Sequence, residues 1–256
     1  MKSSNKKYLL LLTALLFTLP HCAKEDKKVE DMSFDELKQK TLSSLELKKQ
    51  ELATEYLEKL VAQHPDHENI AEYKLMLADQ YFENGNLPSA YQMYDHFSEF
   101  YPSDPKSEYA NYRSVLSKFY QTLKIDCDQS DTENTIKLCR NYNSNLLNQT
   151  YKSDILDIQR TCERKLIDKE VYVYNFYLKK GKYESAQNRL DYLKVNYLPE
   201  NPSLEARLLF LESKLAHRQK DNNLVKEKIE LLANKYPESQ FTRMAQQLVS
   251  KKPFIF

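Results

Sequence analysis

The chain has 256 residues, and its 38 lysines and arginines against 37 aspartates and glutamates give a formal charge of +1. This near balance lacks the basic patch that marks a nucleic-acid-binding protein, so we expect no nucleic-acid partner. Glycine occurs only 2 times in the chain, where about 7% is usual. Because 29% of the residues are charged and alternating β-branched stretches are few, the composition predicts an all-α protein.

The first 21 residues have the pattern of a bacterial export signal. Three lysines precede an apolar run from Tyr8 to Leu19, which is shorter than the roughly 20 apolar residues of a transmembrane helix. We interpret Cys22, at the end of this segment, as the lipid-modified first residue of the mature protein. His21 departs from the small residue usual before such a cysteine. The alternative is therefore an uncleaved or differently cleaved segment with an ordinary thiol.

A lipid on Cys22 would hold the protein at a membrane without a spanning helix. Such a cysteine carries two or three acyl chains, which anchor stably where a single chain is marginal. Residues 22–33 are then a charged, lipidated tether, and the covalent lipid is the only prosthetic group that we expect.

The two glycines punctuate an internal repeat. Gly85 and Gly181 lie 96 positions apart, and each follows a tyrosine by four residues and precedes an alanine by five. Such self-similarity is typical of repeat architectures.

The segment Tyr73 to Pro102 matches a tetratricopeptide repeat. The matching positions are Leu77, Ala78, Tyr81, Gly85, Ala90, Tyr94 and Pro102. Small alanines let two antiparallel helices approach closely, aromatic residues fill the space beside them, and glycine permits the tight turn. We expect Tyr81, Tyr94 and Tyr177 to be core residues.

Weaker copies of the repeat predict a tetratricopeptide-like α-solenoid of about five helix pairs, stacked into a right-handed superhelix. Repeats 1–3 would occupy residues 34–170 and repeats 4–5 residues 171–250, with a tail at 251–256. In the third repeat, helical segments from about residue 108 to 124 and from 132 to 147 flank a polar loop, so this repeat has a longer internal connection.

The sequence offers little for catalysis or metal binding. His64 and His67 straddle Pro65 at a repeat turn, so we interpret them as structural turn residues and predict no metal site. Two glycines cannot build a phosphate-binding loop, and no nucleophile stands beside a base in a known motif. We predict that the chain is not an enzyme.

Three cysteines remain in the body of the chain, and export implies an oxidising compartment. A disulfide between Cys127 and Cys139 would join the long loop to its helix, and one between Cys139 and Cys162 would join neighbouring helices. Three free thiols are the alternative, and spacing does not decide among these arrangements.

Tyrosine is abundant, with 19 residues and no tryptophan in the chain. On the first helices of the predicted pairs, Tyr73, Asp79, Tyr112 and Tyr120 fall where a solenoid presents its concave face. Tyrosine combines a large contact area with a polar tip, which suits the binding of an extended peptide. Packing between repeats is the other interpretation, and both stay open here.

The export signal, the repeats and the stretch from Tyr81 to Ala90 together resemble the BamD family, also called ComL or YfiO, of outer-membrane protein assembly lipoproteins. The Pro102-x-x-Pro105 that follows also fits this family. The resemblance implies a lipid-anchored protein at the periplasmic face of the outer membrane. Its N-terminal repeats would bind unfolded β-barrel precursors through their C-terminal strand signal. Its last two repeats would dock on the periplasmic domains of the barrel-assembly subunit, a BamA-like protein.

The resemblance also implies two sets of binding residues. The precursor surface would involve Tyr73, Asp79, Tyr81, Phe82 and Tyr112, and the docking surface Tyr183, Arg189, Tyr192 and Lys194. The alternative functions are another exported repeat scaffold, for peptidoglycan synthesis or division, and the regulatory subunit of an envelope enzyme.

Overall fold

The computed structural model describes residues 28–250, and within this range the chain forms helices and no strand. The all-α prediction is therefore confirmed. The helices are α1 (Phe34–Glu46), α2 (Gln50–Gln63), α3 (Ile70–Glu83), α4 (Leu87–Phe100), α5 (Ser107–Gln121), α6 (Ser130–Ser144), α7 (Lys152–Lys179), α8 (Tyr183–Asn196), α9 (Glu205–Gln219), α10 (Asn222–Lys235) and α11 (Gln240–Ser250). Short 3₁₀ turns span Val29–Asp31 and Pro202–Leu204.

The first ten helices form five antiparallel pairs, each closed by a turn of two or three residues except in the third. Gly85 and Gly181 close the second and fourth pairs with φ of 76° and 71°, a left-handed conformation that glycine adopts without steric cost. Lys48 and Lys220 take the same conformation in the first and fifth turns. The third pair is joined by residues 122–129 instead, which confirms its longer connection.

Antiparallel pairing gives the solenoid two edges. The turns within pairs lie on one edge, which we call the turn edge. The connections between pairs lie on the other, the connection edge, together with the segment that precedes α1. Phe34, the first residue of α1, stacks on His67 of the α2–α3 connection with ring centroids 3.5 Å apart, which places the start of the chain's first helix on the connection edge.

The core follows the repeat positions. Ala78, Ala90 and Tyr94 are fully buried between α3 and α4, because the small alanines let the helices approach. Tyr81 and Tyr177, predicted as core, are only partly buried and pack at the periphery. The Tyr81 hydroxyl reaches the surface, where it donates to Glu58 Oε1 at 2.8 Å.

Helix α7 differs from the predicted organisation. It runs unbroken for 28 residues and crosses the predicted division at 170/171, so a continuous helix joins the two groups of repeats. Its first half packs with α6 through Ile155, Ile158 and Cys162, and its second half packs with α8 and α9.

The two ends of the described chain also differ from expectation. At the N-terminal end, Val29–Asp31 form a turn and Met32 is buried against the first repeat, so the last part of the predicted tether is packed. At the C-terminal end, α11 lies on α9 and α10 and covers the last pair, with Ala245 fully buried. The signal 1–21, Cys22 and the tail 251–256 lie outside the described residues.

Candidate protein-binding surfaces

Tyr73, predicted on the precursor surface, is a core residue. Its side chain is only 4% exposed, and its ring makes an edge contact with Phe34 at 5.3 Å between centroids. Of the two interpretations that the sequence left open for Tyr73, packing between helices fits the structure, because the first turn of α3 packs against α1 and α2.

Asp79 joins three helices instead of standing free for a ligand. Its Oδ1 atom accepts a hydrogen bond from the Tyr94 hydroxyl of α4, at 2.5 Å, and another from the Tyr109 hydroxyl of α5, at 2.8 Å. Burial and, to a smaller extent, the hydrogen bond to the Asp79 carboxylate raise the pKa of Tyr109 to about 12. The same two causes raise the pKa of Tyr94 further. Both hydroxyls therefore stay protonated as donors at neutral pH.

Arg113 of α5, which sequence analysis missed, completes this cluster. Its guanidinium lies 3.8 Å from the centroid of the Phe82 ring, and its Nε donates to the Tyr94 hydroxyl at 3.1 Å. The guanidinium also pairs with Glu83 at 3.3 Å. The i, i+4 spacing of Tyr109 and Arg113 on one helix face was the available signal.

A strip of apolar side chains near the turn edge begins at Phe82, which is partly buried under the Arg113 guanidinium and is followed by more exposed residues. Its ring contacts that of Tyr120 at 5.9 Å, and Tyr120 lies near the end of α5. Beyond it, Leu123 and Tyr172 line a shallow groove of ≈ 630 Å³ between residues 122–126 and α7. We call Phe82, Tyr120, Leu123, Tyr172 and Phe176 the apolar band; it runs across α3, α5 and α7.

Two members of the apolar band, Tyr172 and Phe176, were missed in the sequence. Their i, i+4 spacing on α7 is the sequence signal that could have identified them, and both side chains are about half exposed. Cations border this part of the band: Lys169 lies 5.9 Å from the Tyr172 centroid, and Lys180 lies 6.0 Å from that of Phe176. The band thus combines apolar contact area with positive charge.

Tyr112, the last predicted precursor residue, lies elsewhere on α5. Its ring stacks on that of Tyr151, with centroids 4.2 Å apart and an angle of 4° between the planes. Its hydroxyl reaches Asp154 of α7 at 3.5 Å. Tyr112 therefore contributes to the contact between α5 and the start of α7, so the five predicted precursor residues do not form one patch.

The four predicted docking residues all lie on α8 but point in two directions. Tyr183 donates to the Arg218 carbonyl of α9 at 3.2 Å, and Lys194 pairs with Glu212 of α9. Arg189 instead pairs with Glu170 of α7, at 3.3 Å. Three of the four side chains are thus held by neighbouring helices.

Tyr192 is the most exposed of the four, at 44%. Its ring meets that of Tyr197 edge-on at 6.1 Å and lines a groove of ≈ 310 Å³ between α6 and α8. Burial and, to a smaller extent, the nearby Tyr192 hydroxyl raise the pKa of Tyr197 to about 12. Glu133, Lys137, Arg140 and Glu200 also line the groove and give it mixed charge. This groove is the best-formed part of the predicted docking surface.

The three cysteines of the body are free thiols. Cys139 and Cys162 are buried in one cluster between α6 and α7, whereas Cys127 is exposed in the 122–129 connection. Burial raises the pKa of Cys139 to about 12 and that of Cys162 to about 11, so both remain protonated at neutral pH. The disulfides considered from the sequence are not formed.

The histidine pair at the first repeat connection has a structural role. His67 stacks on Phe34, and His64 makes an edge contact with the same ring at 5.7 Å. No group of three metal-ligating side chains occurs among residues 28–250. Within the same range, none of the helices combines the length and apolarity needed to cross a membrane.

Comparison with known proteins agrees with this architecture. A family model described as YfiO, outer membrane lipoprotein, matches residues 30–229. The outer membrane protein assembly factor BamD of Rickettsia prowazekii is 28% identical over 206 residues, which cover 80% of this chain and 81% of that protein. BamD of Caulobacter vibrioides is 28% identical over 138 residues, or 54% of this chain and 45% of that protein. The matched range includes the first nine helices and most of α10, and the chain belongs to the YfiO family of outer membrane lipoproteins.

Proposed function

We propose that this protein is an outer-membrane protein assembly factor: a non-catalytic scaffold, anchored through lipid on Cys22 at the periplasmic face of the outer membrane. Repeats 1–3 would bind unfolded β-barrel precursors, and repeats 4–5 would dock on the periplasmic domains of a BamA-like assembly subunit. Family membership and the names of the two BamD relatives support the general role. The apolar band is the observation that carries the precursor-binding part.

The apolar band suits an extended, apolar segment. The Phe82 and Tyr120 rings have centroids 5.9 Å apart, close to the spacing of about 7 Å between alternate side chains on one face of an extended chain. Side chains on α3, α5 and α7 can therefore meet alternate residues of one peptide. The lysines beside Tyr172 and Phe176 would favour a segment that ends in a carboxylate, as the C-terminal strand of a precursor does.

The groove beside Tyr192 supports the docking part. It lies between α6 and α8, on the second helices of two pairs, and offers a half-exposed aromatic ring among charges of both signs. An aromatic anchor with a charged rim is the usual anatomy of a protein–protein contact. Tyr192 lies on α8 and is not a member of the apolar band, so we assign the two partners to different surfaces.

Two tyrosines of matched exposure provide the test. Tyr172 is 48% exposed and belongs to the apolar band, whereas Tyr192 is 44% exposed and lies in the groove. Binding of the mature chain would be measured against a peptide from the C-terminal strand of an outer-membrane barrel and against the BamA-like periplasmic domains. We expect Tyr172→Ser to weaken peptide binding, and Tyr192→Ser to weaken docking, each by about tenfold.

Each variant is the control for the other. Equal effects of both variants on both partners would contradict the assignment of the two surfaces. If the parent chain binds neither partner at about 100 µM, which corresponds to about −5.5 kcal/mol, the assembly role is wrong. Another exported scaffold role would then be favoured. In a complementary test, this protein is depleted from cells, and we expect the amount of β-barrel proteins in the outer membrane to fall.

A further inference from the structure

The connection between α6 and α7 displays two adjacent leucines. Leu146 and Leu147 are 88% and 82% exposed, the highest values among the large hydrophobic residues of the described chain. A single exposed leucine is ordinary on a protein surface. Two adjacent ones that project almost entirely into solvent form an apolar tip, and such features mark contact sites.

A hydrogen-bond network holds this tip in place. The Leu147 N–H donates to Asn145 Oδ1 at 3.0 Å, and the Gln149 side chain donates to the Leu146 carbonyl at 2.9 Å. Asn148, which is buried, donates to the Tyr142 carbonyl at 3.4 Å. The two leucines thus lie on an ordered turn. Because the turn is already ordered, a contact through these side chains costs less conformational entropy.

The tip lies on the same edge of the solenoid as the described segment that leads into α1. The α6–α7 connection belongs to the connection edge, and so does the segment that leads into α1. Lys28, the first described residue, is six positions from Cys22, a separation that an extended chain spans in about 20 Å at most. A lipid on Cys22 would therefore hold the part of the connection edge beside α1 within about 20 Å of the membrane surface.

The α6–α7 connection differs in charge from the other connections on its edge. The α2–α3 connection carries Asp66 and Glu68, the α4–α5 connection carries Asp104 and Lys106, and the α8–α9 connection carries Glu200. Residues 141–151 carry no charge at all, and Arg140 and Lys152 flank them. The Glu108 carboxylate of α5 is held at the Thr150 end of the connection by hydrogen bonds from the Thr150 N–H and hydroxyl. The side chains of the turn itself add no ion whose desolvation would oppose burial of the leucines. Lys152, which is exposed, suits anionic headgroups, whereas Arg140 pairs with Glu200 at 3.6 Å.

We propose that Leu146 and Leu147 insert into the membrane interface and form a second membrane contact beside the lipid on Cys22. The connection edge then faces the membrane, and the apolar band near the turn edge faces away from it, open to precursors. This inference rests on the lipid anchor of the proposed function, but not on precursor binding or docking.

The absence of tryptophan from the chain allows a direct test. Leu147→Trp places a single tryptophan at the tip, and Leu47→Trp places one on the turn edge, where Leu47 is 65% exposed. Each lipidated variant would be reconstituted in phosphatidylethanolamine–phosphatidylglycerol vesicles with and without brominated acyl chains. We expect the Leu147→Trp emission to shift to shorter wavelength and to be quenched about twofold or more, as for an interfacial side chain. The Leu47→Trp emission should not change.

Other results would overturn the inference. Emission of the Leu147→Trp variant that is as insensitive to bromine as that of Leu47→Trp would exclude membrane insertion. A shift seen only after the BamA-like domains are added would show that the tip contacts a protein instead. Mass spectrometry of the same samples reports the lipid on Cys22, so a missing anchor is distinguished from an anchored chain whose tip stays in water. Helical circular dichroism verifies that both variants are folded.

Discussion

At the scale of single residues, the polar groups inside this solenoid connect repeats. Asp79 belongs to α3, yet its carboxylate accepts hydrogen bonds from α4 and α5. A buried hydroxyl without an acceptor costs about 1–3 kcal/mol, so the carboxylate satisfies two groups whose burial would otherwise be unfavourable. Asp79 therefore contributes to the alignment of repeats 2 and 3, beneath the apolar band.

Replacing Asp79 tests this role through stability. We expect Asp79→Ala to lower the free energy of unfolding by about 2–3 kcal/mol, because Tyr94 and Tyr109 both lose their acceptor. Asp79→Asn keeps an oxygen acceptor, so its cost should be smaller, about 1 kcal/mol. Urea unfolding followed by circular dichroism measures both values.

An exposed aspartate is the control for this prediction. Asp157→Ala removes a solvent-exposed pair with Arg160 and should cost less than about 0.5 kcal/mol. If Asp79→Ala costs no more than Asp157→Ala, Asp79 does not hold the repeats together.

Sequence patterns predicted these residues only in part. The repeat motif correctly placed Ala78, Ala90 and Tyr94 in the core, since steric fit between paired helices fixes those positions. It could not separate Tyr73, which is buried, from Tyr120, which is exposed. Tyrosine is amphipathic and occurs in both environments, so only the packing of neighbouring helices decides between them.

At the scale of elements, glycine and proline predicted where the helix pairs begin and end. The incorrect predictions of element boundaries fall where these residues are absent. Residues 145–151 contain neither glycine nor proline. The connection is instead fixed by Glu108, whose Oε1 accepts from the Thr150 N–H at 2.6 Å and from the Tyr142 hydroxyl at 2.8 Å. These partners are 42 and 34 positions away, so local sequence patterns do not predict them.

The pH dependence of stability tests the Glu108 contacts. Burial alone would raise the pKa of this carboxyl, but the hydrogen bonds from Thr150 and Tyr142 outweigh burial and lower the pKa below its usual value. A carboxyl whose pKa is lower in the folded state stabilises the fold above the unfolded-state pKa. This stabilisation is lost as the pH falls through the folded-state pKa. We therefore expect Glu108→Gln to cost about 1 kcal/mol at pH 7 and less at pH 3.

Urea unfolding of the parent chain and the variant at both pH values measures this change. Glu55→Gln, at an exposed position of α2, is the control and should cost little at either pH. A cost of Glu108→Gln that is the same at pH 7 and pH 3 would show that the charge on Glu108 does not stabilise the connection.

At the scale of the whole molecule, α7 joins the two groups of repeats. Each repeat of a solenoid contacts only its neighbours, so stability is a sum of local terms, and a weak link can separate the structure into parts. In this chain Cys162 belongs to the cluster with α6, whereas Ile167 belongs to the cluster with α8 and α9. The helix between them has no break, so we expect the two clusters to unfold together.

Arg164, an exposed residue between the two clusters, is the position at which this coupling can be broken. Proline inside a helix removes a hydrogen bond and clashes with the preceding turn, at a cost of about 3 kcal/mol or more. We expect Arg164→Pro to divide the unfolding transition, followed by circular dichroism in urea, into two steps. Arg164→Ala keeps the helix, and its transition should remain single. A single transition for Arg164→Pro would contradict this prediction, and so would two transitions in the parent chain. Either result would mean that α7 does not couple repeats 1–3, which we propose to bind precursors, to repeats 4–5, which we propose to dock.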